Sequence, residues 1–162
     1  MWTHGDFLEL TPRGTARIHG RSDGVMNIRG IRIGPAEIYH ALSGIGEVAE
    51  AMAIEQAKAD EPGGSRLVLL VVLQPGLTLE RALTLRIKKE LSQRCSMAHV
   101  PGVIAQVSAL PTTHSGKRSE RAARDVLNGR PAENRGALRN PECLDELAAH
   151  PALAALAVTP GA

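Results

Sequence analysis

This sequence is short of aromatic rings, cysteines, lysines and long apolar runs, and each shortage removes a class of protein. Trp2, Phe7 and Tyr39 are the only aromatics, so there is no basic surface with interleaved rings on which nucleic-acid bases would stack. A core must instead be packed from Leu, Val, Ile and Ala, which an apolar content of 43% allows. Cys95 and Cys143 stand far apart, without a CxxC partner or a histidine at metal-site spacing. That argues against zinc and for reduced thiols in a cytoplasmic protein. The longest apolar run, "LVLLVVL" at residues 67–73, is far below the roughly 20 residues that span a bilayer. "MWTHGDFLEL" carries an acid and no apolar signal-peptide stretch, so a soluble protein is expected. A net charge of +2 gives no general case for a nucleic-acid partner.

What is present is a small α+β pattern. The 162 residues suit one domain, or one domain with a tail. "DFLEL" and "ARIHG" alternate apolar with polar around a Pro/Gly turn and predict a β-hairpin. Short β-like pieces follow at residues 25–28 and 31–33, and "PAEIYHAL" opens a helix with Pro35 at its first position and Ile38, Ala41 and Leu42 on one face. "EVAEAMAIEQ", "RLVLLVVLQ" and "VPGVIAQVSAL" read as strands. "TLERALTLRIKKELSQRC" reads as a helix with Leu79, Ala82, Leu83, Ile87 and Leu91 on its apolar face. Ser119 is expected to cap "ERAARDVLNG", which Gly129 ends. The expectation is an N-terminal β-hairpin, a central three-stranded sheet flanked by helices, and a C-terminal helical tail. "RPAENRGALRNPE" has linker composition, and "NPECLDELAAH" predicts a short capped helix.

Lysine is the scarce cation, with four against fifteen arginines. One of the four, Lys117, lies in "LPTTHSGKRSE", residues 110–120, which combines a Pro-opened loop, a Ser-Gly turn and a helix start. Those residues fit a helix-entry loop with a solvated lysine, or a mobile turn that delivers an ammonium to a reacting anion. They do not fit a phosphate-binding P-loop, because Pro111 and Arg118 stand where that loop needs glycine and a hydroxyl. "GIGEVA" follows a helix rather than a strand and reads as a turn, not a dinucleotide fingerprint. "HGD" at residues 4–6 and "HGRSD" at residues 19–23 set a carboxylate beside a glycine turn. Either suits ribose hydroxyls or an ordinary surface ion pair. The six histidines show no metalloprotease-like spacing and read as structural or solvated. Lys88 and Lys89 read as a solvated helix face that can also meet a phosphorylated ligand.

In order and spacing, "HGDF", "HGRSDGVMNIRGIRIGPAEIY" and "LPTTHSGK" resemble the closing motifs of the adenylate-forming acyl-CoA synthetases. Within that group "WTHGDFLELTPRG", "HVPGVI" and the late "NPECLDEL" resemble the acetoacetate–CoA ligase subfamily. Two departures are Ala98, where an arginine is usual before "HVP", and "RSERAA" after the lysine.

The resemblance implies an activity in lipid metabolism with two half-reactions. ATP and a carboxylate give an acyl-adenylate and pyrophosphate, and CoA then gives the thioester and AMP. It implies a lid domain that swings between two poses, with Asp23 as the hinge. Asp6 would hold the ribose hydroxyls, with Arg21 and Arg32 against the nucleotide. Arg29, Gly30 and Ile31 would line the CoA tunnel, Lys88 or Lys89 would meet CoA phosphates, and Lys117 would bridge the carboxylate and the α-phosphate. Residues 1–20 would end the adenylating domain, 21–129 would be the lid, and 130–162 a linker, short helix and tail. ATP, AMP and CoA are the implied ligands; Mg2+ is implied as well, with no ligands expected in this chain. The large adenylating domain is the expected partner, and without it the chain should activate no acid. The alternatives are a non-enzymatic lid module that binds or regulates a partner, and an arginine-rich nucleic-acid binder.

Overall fold

The computed structural model describes residues 6–10, 16–21, 24–58, 61 and 63–154, with the backbone alone for 6–10, 16–21 and 154. The first hairpin forms as expected, from β1 (Asp6–Leu10) and β2 (Ala16–Arg21). A bulge between Phe7 and Leu8 interrupts its antiparallel register. A second, smaller hairpin joins β3 (Met26–Ile28) to β4 (Ile31–Ile33) and feeds α1 (Pro35–Leu42), which starts on the expected proline.

The centre is a sheet of β5 (Val48–Ala57), β6 (Ser65–Leu73) and β7 (Val103–Gln106), in the order β5-β6-β7. β5 and β6 are antiparallel, and β6 and β7 are parallel. Parallel neighbours need a long crossover, and it contains α2 (Arg81–Arg94) and a 3-10 turn at Met97–His99. Because β6 lies between its partners with layers on both faces, Leu67, Val68, Leu69, Leu70 and Val71 are all at most 1% exposed. That is why its sequence is continuously aliphatic rather than alternating.

The pleat splits the core in two. Ala51, Ala53, Leu67, Leu69 and Val71 face a cluster completed by Ile28, Ile33, Ile38, Ile87 and Leu91, from the second hairpin, α1 and α2. Met52, Ile54, Val68 and Leu70 face the other way, toward α3 (Glu120–Leu127), α4 (Cys143–Ala149) and α5 (Pro151–Ala154). Gln56, 1% exposed, ties this second layer down. Its amide donates to the Leu127 and Leu153 carbonyls at 2.8 and 3.3 Å, and its oxygen accepts from Arg66. Every polar atom of that buried side chain is satisfied, so its burial carries no desolvation penalty left unmet.

Three details of the reading are corrected. Ala82 is exposed, and α2 begins only at Arg81; Ile87 and Leu91 are its buried residues. Leu79 precedes the helix, where its N–H donates to Gln106 at 2.7 Å. Ser119 occupies the N-cap position of α3 without capping it. Its buried hydroxyl accepts from Asn134 at 2.9 Å instead, since a buried oxygen is served by whichever donor the fold brings to it.

Candidate functional site

Lys117 ends a closed turn. The Thr113 N–H donates to the Lys117 carbonyl at 2.8 Å, and the Gly116 N–H to the Thr113 carbonyl at 2.9 Å. The Thr113 hydroxyl accepts the Lys117 N–H at 3.2 Å and donates to the Lys117 carbonyl at 3.1 Å. Gly116 has φ +82°, so the turn needs a residue that adopts the left-handed region without penalty. Gly116 therefore has a conformational role within a hydrogen-bonded turn. Lys117 itself is exposed, and its ammonium has no hydrogen-bond or ion-pair partner among the described residues.

Two neighbours hold that turn. On one side the chain returns as residues 137–140: the His114 N–H donates to the Ala137 carbonyl, and the Arg139 N–H to the Thr112 carbonyl at 2.8 Å. Asn140 completes the join by accepting the Thr112 N–H and donating to the Leu110 carbonyl, both at 2.9 Å. On the other side Arg118 reaches the edge of β5, where it donates to the Ala51 carbonyl at 2.9 Å. Its guanidinium lies 5.6 Å from the centre of the Tyr39 ring, and Glu50 is 3.8 Å away. The Tyr39 hydroxyl accepts the Ala53 N–H at 3.1 Å, and burial pushes its pKa up. Tyr39 and Arg118 thus cover an edge strand whose backbone groups would otherwise invite another strand.

The second turn carries the residues read as a CoA-tunnel loop. Ile28 and Ile31 pair across it, leaving Arg29 (φ +52°) and Gly30 (φ +81°) as its two central residues. Two positive φ values make a type I′ turn, the connection whose twist matches a two-residue hairpin. Arg29 is a long side chain in a region that costs about 1 kcal/mol or more without glycine. Arg29, Gly30, Ile31 and Arg32 are all exposed, Ile31 to 51%. Neither arginine has a partner among the described residues. This hairpin meets β5 where the Asn27 N–H donates to Glu55, four residues beyond the Arg118 contact at Ala51. Four residues of extended strand are roughly 13 Å. The two turns also stand on opposite cores, with Ile28 and Ile33 in one cluster and Leu110 and Leu138 in the other.

The remaining sequence candidates are scattered. Lys88 is half-buried and Lys89 exposed on α2. Asp6 and Arg21 are Cα partners at the end of the first hairpin. Asp23 lies outside the described residues. A cleft of about 360 Å³ is lined by Glu37, His40, Ala41, Arg94, Cys95 and His99. Within it His99 bridges Glu37 at 2.7 Å and the Ser96 hydroxyl at 2.8 Å, tying α1 to the 3-10 turn. Among the described residues no three His, Cys, Asp or Glu side chains are grouped to hold a metal ion. Burial, then Glu37, raises the Cys95 thiol; burial chiefly pushes Cys143 up to about 11. Neither thiol is an activated nucleophile. No helix among the described residues is long and apolar enough to cross a membrane.

Comparison with known proteins matches residues 37–117, half of the chain, to the AMP-binding enzyme C-terminal domain. The matched segment ends on Lys117. The chain is 49% identical over 145 residues to acetoacetyl-coenzyme A synthetase of Rhizobium meliloti (strain 1021), covering 90% of this chain and 22% of that protein. It is 37% identical over 146 residues to the acetoacetyl-CoA synthetase of Mus musculus, again covering 90% of this chain and 21% of the relative. The solved acetoacetyl-CoA synthetase from Streptomyces lividans superposes with a TM-score of 0.76 at 35% identity, over 91% of this chain and 22% of that one. The chain thus spans about a fifth of the length of these relatives.

Proposed function

The chain belongs to the AMP-binding enzyme C-terminal domain family, and from that premise we propose that it serves as the lid of an ATP-dependent acetoacetate–CoA ligase. The observation that carries the reading is the pair of turns: an unpartnered ammonium on one, exposed arginines and glycine on the other, set on opposite cores. A lid that turns would bring first one and then the other to the same active site. Residues 21–129 form that lid, with Asp23 as the pivot; residues 1–20 close the adenylating domain, and 130–162 form an appended segment.

In the first half-reaction a carboxylate oxygen attacks the α-phosphorus of ATP, and the bond to pyrophosphate breaks. Two anions must meet, so a fixed ammonium at that point stabilises charge that develops in the transition state. Lys117 has that role. Asp6 and Arg21, opposite one another in the hairpin register, together with Arg32 hold the nucleotide. In the second half-reaction the CoA sulfur attacks the acyl carbonyl and the bond to AMP breaks. Arg29, Gly30 and Ile31 line the path of the thiol arm, and Lys88 or Lys89 meets CoA phosphate. Magnesium is implied with the nucleotide, and the adenylating domain would hold both.

The test is complementation with an adenylating domain of the same family, supplied in trans or fused. The chain alone should give no acetoacetyl-CoA from ATP, acetoacetate and CoA, and the joined pair should. Lys117→Ala should lower adenylate formation by about a hundredfold or more while leaving thioester formation from preformed adenylate intact. Equal loss in both half-reactions, or none, overturns the assignment.

A further inference from the structure

The motif "NPECLDEL" lies beyond the matched family segment and has no part in the two half-reactions as described. Its first residue, however, touches the lysine turn. We propose that Asn140 is a positioning residue for Lys117, and that the chain after residue 130 serves to hold the turn in shape. This rests on the lid reading above.

The argument is one of unmet backbone groups. Pro111 interrupts the entry to the turn, and it has no N–H with which to join a ladder. The groups on either side of it, the Leu110 carbonyl and the Thr112 N–H, are both met by the one Asn140 amide, each at 2.9 Å. The Thr112 hydroxyl also donates to the Leu110 carbonyl at 3.0 Å, so the Thr112 N–H is the group that depends on Asn140 alone. An amide supplies a donor and an acceptor in fixed relation, so it substitutes for a strand residue where proline has removed one. From that clamp the pairing continues through Arg139 to Thr112 and Ala137 to His114, with a bridge between Thr113 and Leu138. Leu138, Cys143, Leu144 and Leu147 are buried in the second core, so the clamp is itself anchored to the sheet. Asn140 bonds to Thr112 and Leu110, not to the Lys117 side chain. It acts through Thr112 and Thr113, whose hydroxyl and backbone define the position of the Lys117 backbone.

Amide hydrogen exchange on the chain reads the brace without any assay of function. Asn140→Ala should speed exchange at Thr112, Thr113, Gly116 and Lys117 by roughly tenfold, the scale of one hydrogen bond, with the β6 amides unchanged. In the chain joined to an adenylating domain the same variant should lower kcat for adenylate formation by roughly tenfold. KM values for ATP and acid, and thioester formation from preformed adenylate, should hold within about twofold. Asn140→Asp keeps the acceptor for Thr112 and loses the donor to Leu110. It should fall between wild type and Ala, and it carries the same readouts if the Ala variant fails to fold. Turn amides that stay protected, or all amides shifting together, would overturn the proposal. If Lys117→Ala leaves adenylation untouched, the lid reading fails while the exchange result still decides the brace.

Discussion

Two turns of this chain use the same backbone device and surround it differently. Gly30 and Gly116 sit at φ +81° and +82°, each in a tight turn with no atom within 4 Å of where a Cβ would stand. The lysine turn is held by Thr113, by Arg118 on the sheet edge, and by the returning residues 137–140. The hairpin tip has its own two short strands, one central residue in a costly conformation, and no side-chain partner for its arginines among the described residues. A group that must meet a reacting atom is worth fixing. A group that lines the path of a long flexible ligand needs clearance more than position. The asymmetry follows the two proposed roles.

The largest effect should come from exchanging the glycines for a β-branched residue. Valine in the left-handed region costs about 2 kcal/mol or more, and since a Cβ meets open space at both sites, the backbone conformation is the source of that cost. Gly116→Val should therefore misplace Lys117 and slow adenylation by about a hundredfold, sparing the thioester step. Gly30→Val should do the reverse. Separate assays of the half-reactions check this, and a variant that slows both equally would break the division between the turns.

Next in size is the difference in bracing. Arg118→Leu removes a charged donor from the Ala51 carbonyl and a cation from the Tyr39 ring. Because Arg118 is partly exposed, the loss should be about 1–2 kcal/mol, or about 3–6 °C in Tm. Arg32→Leu on the hairpin has no such contact to lose and should stay within about 0.5 kcal/mol. Thermal melts of the two variants should therefore separate. If they coincide, Arg118 does not brace the turn.

Much of this was legible in the sequence, because the first hairpin, the short β pieces at 25–28 and 31–33, the three strands and the two main helices carry local signals. The pairing of the short pieces into a second hairpin was not read. Pro35 opens α1, the continuous aliphatic run makes β6, and Gly129 closes α3 with φ +70°. The brace around Lys117 was not legible. Asn140 acts 28 residues from Thr112, and Arg118 meets Ala51 67 residues away. Both residues lie in quoted stretches, but nothing in those stretches tells which distant backbone group each one meets. Ser119 shows the limit in miniature: a cap signal places it correctly at the helix start, yet Asn134 takes its hydroxyl. Tyr39, the sole tyrosine, was the one visible hint that the sheet edge needed a polar ring.

A smaller effect should appear at Arg29. Glycine there would relieve the left-handed penalty while adding backbone entropy to the unfolded chain, a net gain of about 0.5–1 kcal/mol. Tm should rise by about 1–4 °C as the thioester step weakens through loss of the side chain. A fall in Tm would mean that Arg29 is not strained, and the contrast between a braced and a strained turn would lose one of its terms.

The smallest effect is acid sensitivity, which should touch both sides of the sheet but neither turn directly. The Arg86 guanidinium holds the Glu47 carboxyl below its usual range beside the first core, and Arg135 does the same to Asp145 beside the brace. A depressed carboxylate stabilises the fold above its unfolded pKa and loses that contribution as pH falls through the lower, folded value. Stability from these pairs should be complete above about pH 5 and fade below about pH 4. Both pairs are solvent-exposed, so the loss should be slight and 1 M salt should mask much of it. Neither pair lies in the lysine turn or the hairpin tip, so the two turns should keep their hydrogen-exchange pattern while Tm drifts down. Comparing wild type with a Glu47→Gln, Asp145→Asn double variant isolates the pairs. An acid limb equally steep in both proteins would remove the pairs from the account.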